Sequence, residues 1–284
     1  MDPSLNPPTL NIPALLRAHN LTPRKGLGQN FLADPGILRR LIDAAEIDPQ
    51  ATVLEVGPGA GSLTLWLAAA AQKVVAVELD ANLIGVLEQV LAGCENVTLV
   101  HADILDLDPA RLIEQDGYLV VANIPYYITS AIVRHLLESA RRPSRLVLTM
   151  QREVADRICA APGGLSLLAL SVQVYGRPQP VLRIPAGAFY PPPKVDSVTL
   201  RVDLYPQPLI PAGQLNSFFK LAKAGFAQKR KTLRNSLSAG LAWDAPRAAS
   251  LLQDAAIDPQ RRAETLSLEE WARLTTGFEN QLTG

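Results

Sequence analysis

Five short apolar runs rich in β-branched residues recur along the first half of the chain: 52–57 (TVLEVG), 73–78 (KVVAVE), 97–101 (VTLVH), 118–123 (YLVVAN) and 145–150 (RLVLTM). Helix-like stretches at 62–71, 81–92 and 130–139 separate them. Strands apolar on both faces, joined by helical crossovers, are the pattern of βαβ units around a parallel sheet. After Gln151 the pattern changes to a helical stretch reaching Ala160, a break at Pro162-Gly163-Gly164 and a second helix to about Tyr175. Two more strand candidates, 180–185 and 197–204, flank Pro191-Pro192-Pro193. That cluster must be a loop, because proline cannot donate to a central ladder. Beyond Pro206, Pro208 and Pro211 only helical patterns remain, which marks a domain boundary. The expected organisation is a loose extension over 1–23, an α/β domain over 24–205 and a small all-α domain over 206–284.

The chain has 284 residues and no net charge, but its charge is unevenly distributed. Between Asp43 and Asp116 thirteen acids face two bases, Lys73 and Arg111. Between Leu215 and Gly240 the order is reversed, with Lys220, Lys223, Lys229, Arg230, Lys231 and Arg234 and no acid. A basic segment of this kind reads as a phosphate-binding surface, with Lys229, Arg230, Lys231 and Arg234 as candidate nucleic-acid contacts. Cys94 and Cys159 have neither CxxC nor Cys/His ligand spacing, so neither a disulfide framework nor a metal site is expected, and a reducing cytoplasm fits. The three histidines, His19, His101 and His135, form no triad or metal spacing. The longest apolar stretch, 63–71, is too short to span a bilayer, and the N-terminus does not read as a secretory signal.

Glu55-Val56-Gly57-Pro58-Gly59-Ala60-Gly61 follows the first run and opens a helix, a context in which glycines let the backbone approach a nucleotide. Glu78 ends the second run, 21 residues beyond Gly57, where a carboxylate can accept both ribose hydroxyl protons. An adenosine-containing cofactor is indicated, and the same plan serves dinucleotides and S-adenosylmethionine alike. Ser62 stands where a dinucleotide fingerprint wants its third glycine, which tilts the reading toward the methyl donor. Asp103 and Ile104 follow the third run, at a strand end where ligands bind. The Asp103 carboxylate is a candidate acceptor for the cofactor's adenine amino group.

Asn123-Ile124-Pro125-Tyr126 ends the fourth run and decides between the cofactors. An exocyclic adenine nitrogen is a poor nucleophile because its lone pair is delocalised into the ring. The Asn123 oxygen, with a backbone carbonyl before or at Pro125, can accept the two amino protons and aim the nitrogen at a methyl group. Tyr126 offers a π-face to an extruded base. Phe189, ahead of the proline cluster, is the candidate for the other face. Positioning supplies the rate in this scheme, and no strong base is required.

With these residues in hand, the chain resembles the ribosomal RNA adenine dimethyltransferase family of the bacterial KsgA/RsmA type. The matching segments are 28–32 (GQNFL), 55–61, 77–80 (VELD), 123–127, 151–155 (QREVA), 189–197 and 226–235 (FAQKRKTLRN). The resemblance implies a Rossmann-like class I methyltransferase with S-adenosylmethionine as cofactor. It places Gln29, Asn30 and Leu32 on the cofactor's methionine side and Gly57, Gly59, Glu78, Asp103, Ile104 and Asn123 around the rest. It implies that two adjacent adenosines near the 3′ end of 16S RNA, in an immature small subunit gripped partly by the helical domain, each receive two methyl groups. A cytoplasmic monomer without a metal is expected. One departure stands out: the family's tyrosine–glycine pair before the helix near Leu165 is replaced by Pro162-Gly163-Gly164, which implies a shorter loop. Competing readings are a large-subunit RNA adenine methyltransferase of the macrolide-resistance kind and a non-catalytic assembly or transcription factor on the same fold.

Overall fold

The first four parallel strands form where the β-branched runs predict them: β2 (Thr52–Val56), β3 (Lys73–Glu78), β4 (Val97–His101) and β5 (Leu119–Asn123). They follow a two-residue strand, β1 (Phe31–Leu32). Further along lie β6 (Arg145–Gln151), β7 (Gly176–Ile184), β8 (Phe189–Tyr190) and β9 (Ser197–Leu204). The structure, a computed structural model, describes residues 7–283. The part of the expected N-terminal extension covering residues 1–6 lies outside them.

Seven strands form one sheet in the order β4-β3-β2-β5-β6-β9-β7. The pairs from β4 to β6 are parallel, and β9 returns antiparallel beside β6. Pro178 and Pro180 do not stop β7 from starting at Gly176, because it is the sheet's edge strand, where missing N–H donors cost little. The order reverses at β2, with β3 and β4 on one side and β5 and β6 on the other. The crevice beyond the carboxyl ends of β2 and β5 is therefore the place for a ligand.

The crossovers are α3 (Ser62–Ala70), α4 (Ala81–Val90), the single-turn α5 (Pro109–Leu112) and α6 (Thr129–Glu138). Two helices precede them. The expectation of a loose segment up to residue 23 is corrected by α1 (Ile12–Ala18), whose Ile12 and Leu16 are buried in a cluster with Leu83 and Leu87. Pro13 sits in the first turn, where no N–H is needed, and the Asn11 side chain accepts from Ala14 N at 3.1 Å, so this proline helps start the helix. α2 (Pro35–Ala45) is capped by Asp34, which accepts from Ile37 N at 2.9 Å. Leu41 and Ile42 of α2 pack with Val53, Val74, Val121 and Val147 of the sheet.

The chain divides into two compact units, Met1–Ala155 with Gln179–Leu204, and Asp156–Pro178 with Tyr205–Gly284. The change near Pro206 coincides with one of these divisions, but residues 156–178 also belong to the helical unit. That unit holds the end of α7 (Arg152–Ile158), α8 (Leu167–Gln173), α9 (Leu215–Phe226), α10 (Leu233–Leu241), α11 (Ala245–Asp254) and α12 (Leu268–Thr283). Its core stacks Phe226 on Trp271, with centroids 5.9 Å apart, and sets Phe218 edge-on to Trp271. The departing loop at Gly163-Gly164 is tied down, since Gly163 and Leu165 both donate to the Glu264 carbonyl. Among the described residues, no helix is long and apolar enough to cross a membrane, and no group of three or more His, Cys, Asp or Glu could hold a metal.

Candidate active site

Gly57, Gly59 and Gly61 all adopt positive φ, +70°, +61° and +89°, which a side chain would strain. A Cβ on Gly59 would stand 2.8 Å from Phe31 Cδ1, so the loop is pressed against the ring of β1. At Gly57 no atom beyond its two chain neighbours lies within 4 Å of that position, and the residue borders a cavity. This cavity opens at the carboxyl ends of β2 to β5, as the order reversal requires.

The cavity brings together Gln29, Asn30, Gly57, Gly59, Glu78, Asp103, Ile104, Asn123, Pro125 and Tyr126 of the residues expected from sequence. Glu78 is 6% exposed, and its two oxygens accept from Gly59 N at 3.0 Å and Asp80 N at 2.8 Å. Burial pushes its pKa up, and those two backbone donors oppose the shift. Each oxygen keeps a further lone pair for a hydroxyl donor. Asp103 is both a cap and part of the cavity wall. Its Oδ1 accepts from Leu105 N at 2.9 Å as the cap of a short 3-10 turn, and the residue also lines the cavity.

Asn123 donates Nδ2 to the Asn30 carbonyl at 2.9 Å. That bond fixes the side-chain amide, because a carbonyl can only accept, and it leaves Oδ1 as the free acceptor. The Pro125 carbonyl accepts from Ile128 N and from Thr129 Oγ1, both at 3.3 Å. Tyr126 Oη lies 2.6 Å from Ser197 Oγ, and burial raises the phenol's pKa while this hydrogen bond opposes it. The ring is thereby held at its far end.

Leu32 and Phe189 do not line the cavity. They are 4% exposed, face each other in the antiparallel β1–β8 pair and belong to the core with Leu41 and Val147. Neighbours in an extended pair point to opposite sides, so Phe31 and its partner Tyr190 pack in a different cluster, and Phe31 reaches the cavity instead. The side chains expected at cofactor and base, those of Leu32 and Phe189, are thus placed in the core.

Gln29 acts through a partner that sequence reasoning missed. Its Nε2 donates to Asp80 Oδ2 at 2.7 Å, its Oε1 accepts from Arg24 N at 2.7 Å, and Arg24 Nη1 donates to Asp80 Oδ1 at 3.0 Å. Asp80 is 3% exposed, and it also caps α4 through Asn82 N. Burial tends to raise its pKa, but hydrogen bonds from Gln29, Asn82 and Arg24 outweigh that and hold it below the usual range. One carboxylate thus clasps the 24–29 segment to the turn that carries Glu78. Also unanticipated at the cavity are Leu79 and Tyr127, both exposed. Their adjacency to Glu78 and Tyr126 was the available signal.

In the helical unit, Lys229, Arg230 and Lys231 are exposed on the loop between α9 and α10. Arg234 sits half-buried in the first turn of α10, where its Nε donates to Asn235 Oδ1 at 3.2 Å.

Residues 20–277 match the model of the family described as ribosomal RNA adenine dimethylase. A protein of Dehalococcoides mccartyi (strain CBDB1) named ribosomal RNA small subunit methyltransferase A is 48% identical, over 92% of this chain and 90% of that one. Among solved structures, the 23S rRNA methyltransferase ErmE superposes with a TM-score of 0.70 at 29% identity, covering 88% of this chain and all of that one. A dimethyladenosine transferase from Plasmodium falciparum gives a TM-score of 0.75 at 24% identity, covering 88% and 98%, and shows the shared fold. The chain belongs to the ribosomal RNA adenine dimethylase family.

Proposed function

We propose that this protein dimethylates the exocyclic N6 of adenines in small-subunit ribosomal RNA, with S-adenosylmethionine as donor. The targets are two adjacent adenosines near the 3′ end of 16S RNA in an immature subunit in the cytoplasm, and the reaction takes part in ribosome assembly. The observation that carries the reading is the charge of the cavity. Its lining includes the carboxylates of Glu78 and Asp103 and, among the described residues, no Lys, Arg or His. Such walls suit a cationic nucleoside and are unsuited to a pyrophosphate.

S-adenosylmethionine, when bound, supplies an electrophilic methyl group on a positively charged sulfur. Glu78 would hold the ribose hydroxyls, Asp103 the adenine amino group, and Gln29, Asn30 and Leu32 the methionine end. Asn123 Oδ1 accepts a hydrogen bond from one N–H of the target amino group. The Pro125 carbonyl accepts from Ile128 N and shares the Thr129 hydroxyl with the Tyr126 carbonyl, so the second acceptor is the Ile124 carbonyl. With both protons held, the nitrogen lone pair is turned toward the methyl group. Tyr126, pinned by Ser197, presents its face to the base. The basic loop 229–231 with Arg234 would grip RNA phosphates.

The family's large-subunit branch is the competing enzyme reading. Identity of 48% to a small-subunit enzyme against 29% to a 23S enzyme favours the small subunit. The test is mass spectrometry of both ribosomal RNAs after undermethylated subunits are incubated with the protein and labelled S-adenosylmethionine. Dimethyladenosine in 16S RNA alone is the expected result. Label in 23S RNA selects the other branch, and no label selects a non-catalytic factor.

A further inference from the structure

We propose that Tyr127 and Lys25 form a subsite for an unpaired nucleotide flanking the target adenine, an inference that rests on the reaction proposed above. The two consecutive tyrosines at the cavity are held differently. Tyr126 is half-buried with its hydroxyl on Ser197, whereas Tyr127 is 57% exposed. Among the described residues it is the one aromatic in the set of exposed large hydrophobic side chains. A ring of this size left in water at the mouth of a site is an unused apolar face.

The ring is nevertheless backed. Gly28 has φ +62°, and a Cβ there would lie 3.3 Å from Tyr127 Cδ1 and 3.5 Å from Cε1. The main chain at Gly28 therefore supports the ring closely, and a side chain would crowd it. The Gly28 N–H donates to the Lys25 carbonyl at 3.0 Å, so the exposed Lys25 stands one turn before the glycine that borders the ring. No acid occurs from Thr22 to Ala33, and Arg24 is engaged by Asp80, so Lys25 is the cation left for a phosphate. A supported aromatic face with a neighbouring cation is the arrangement by which proteins hold single-stranded nucleic acid: base on ring, phosphate on ammonium. With the target base turned into the cavity, the adjoining nucleotide is unstacked on one side and needs such a platform.

The test uses the full chain and short single-stranded RNAs carrying 2-aminopurine at the target or at either flanking nucleotide. Wild type should quench the fluorophore at a flanking position. Tyr127→Ala should lose that quench and raise KM for RNA about tenfold. Tyr127→Phe should behave as wild type, because stacking needs the ring and not the hydroxyl. Lys25→Ala should raise KM and lower the salt slope by roughly 0.7. Three results would overturn the subsite: equal flanking quench in wild type and Tyr127→Ala, a loss confined to the target position, or weakened cofactor binding with unchanged KM. A wild type that binds and quenches but does not methylate small-subunit adenines would instead sink the functional reading and leave the subsite standing.

Discussion

Gln29 and Asp80, 51 residues apart in sequence, are joined by a 2.7 Å hydrogen bond from Nε2 to Oδ2, while the Asp80 backbone N–H orients Glu78. The two walls of the cofactor cavity are therefore mechanically linked through one side chain. Asp80→Asn should speed dissociation of S-adenosylmethionine severalfold, measured by stopped flow. Gln29→Ala should do the same, and the double variant should be no worse than the worse single one. Additive losses would show that the residues act separately. Because the folded pKa of Asp80 is lowered, its stabilisation is fully present above about pH 3.8, its ordinary value, and is lost as pH falls through the folded value. Asp80→Asn should accordingly flatten the acid limb of the stability profile.

Glu55 presents the opposite sign. It is 1% exposed, and burial, reinforced by the charge of Glu78 and opposed by Thr64, raises its pKa to about 8. An acid whose folded pKa is raised keeps its proton in the native state while the unfolded chain loses it, so stability falls as pH rises from about 4.5 to about 8. Glu55→Gln should remove that decline and raise the thermal midpoint at pH 7.5 more than at pH 5. Equal shifts at both pH values would mean that Glu55 is ionised in the folded protein.

Asn123 is expected to act in the reacting geometry, since its amide is locked with Oδ1 free. Asn123→Ala should lower kcat about a hundredfold or more, a loss typical of removing one preorganised polar group. RNA affinity, measured by filter binding, should change little. Equal losses in both would assign it to binding.

The Phe189 side chain is buried in the core. Phe189→Ala should therefore cost about 3–5 kcal/mol in denaturant unfolding. A variant of wild-type stability with a collapsed methylation rate would return the ring to the substrate.

The basic loop should carry a salt-dependent share of subunit binding. Neutralising Lys229, Arg230, Lys231 and Arg234 together should weaken binding and flatten the slope of log affinity against log salt by a little under one unit per lost phosphate contact. S-adenosylmethionine affinity, measured calorimetrically, should not move, because the cavity residues all lie in the other unit. Unchanged subunit affinity and slope would remove this loop from the RNA contact.

What was legible in the sequence was whatever depends on local pattern. The β-branched runs announced a parallel sheet, and in such a sheet Glu78, Asp103 and Asn123 come together simply because they follow strand ends. What depended on pairing across the chain was not legible. Whether Phe189 or Tyr190 faces the core follows from the register of a two-residue pairing with β1, for which two residues give no periodicity. Gln29 was placed at the site, but its bond to Asp80 had no local signature. The segment up to residue 23 was expected to be loose, because the place of Pro13 within a first turn becomes clear only once Ile12 and Leu16 have a core to enter.

The helical unit is discontinuous in sequence, and this limits how the protein can be shortened. A stop codon after Leu204 looks like a clean excision of the α/β portion, yet it leaves residues 156–178 stranded. Tyr175 would lose its stacking on Phe219, its carbonyl would lose the N–H of Tyr205, and Gly163 would lose the carbonyl of Glu264. Ala169, Leu170 and Val172 of α8 would lose the helical unit they belong to. Neither unit can be obtained by a single cut, so a nonsense mutation late in the gene removes more than an appendage.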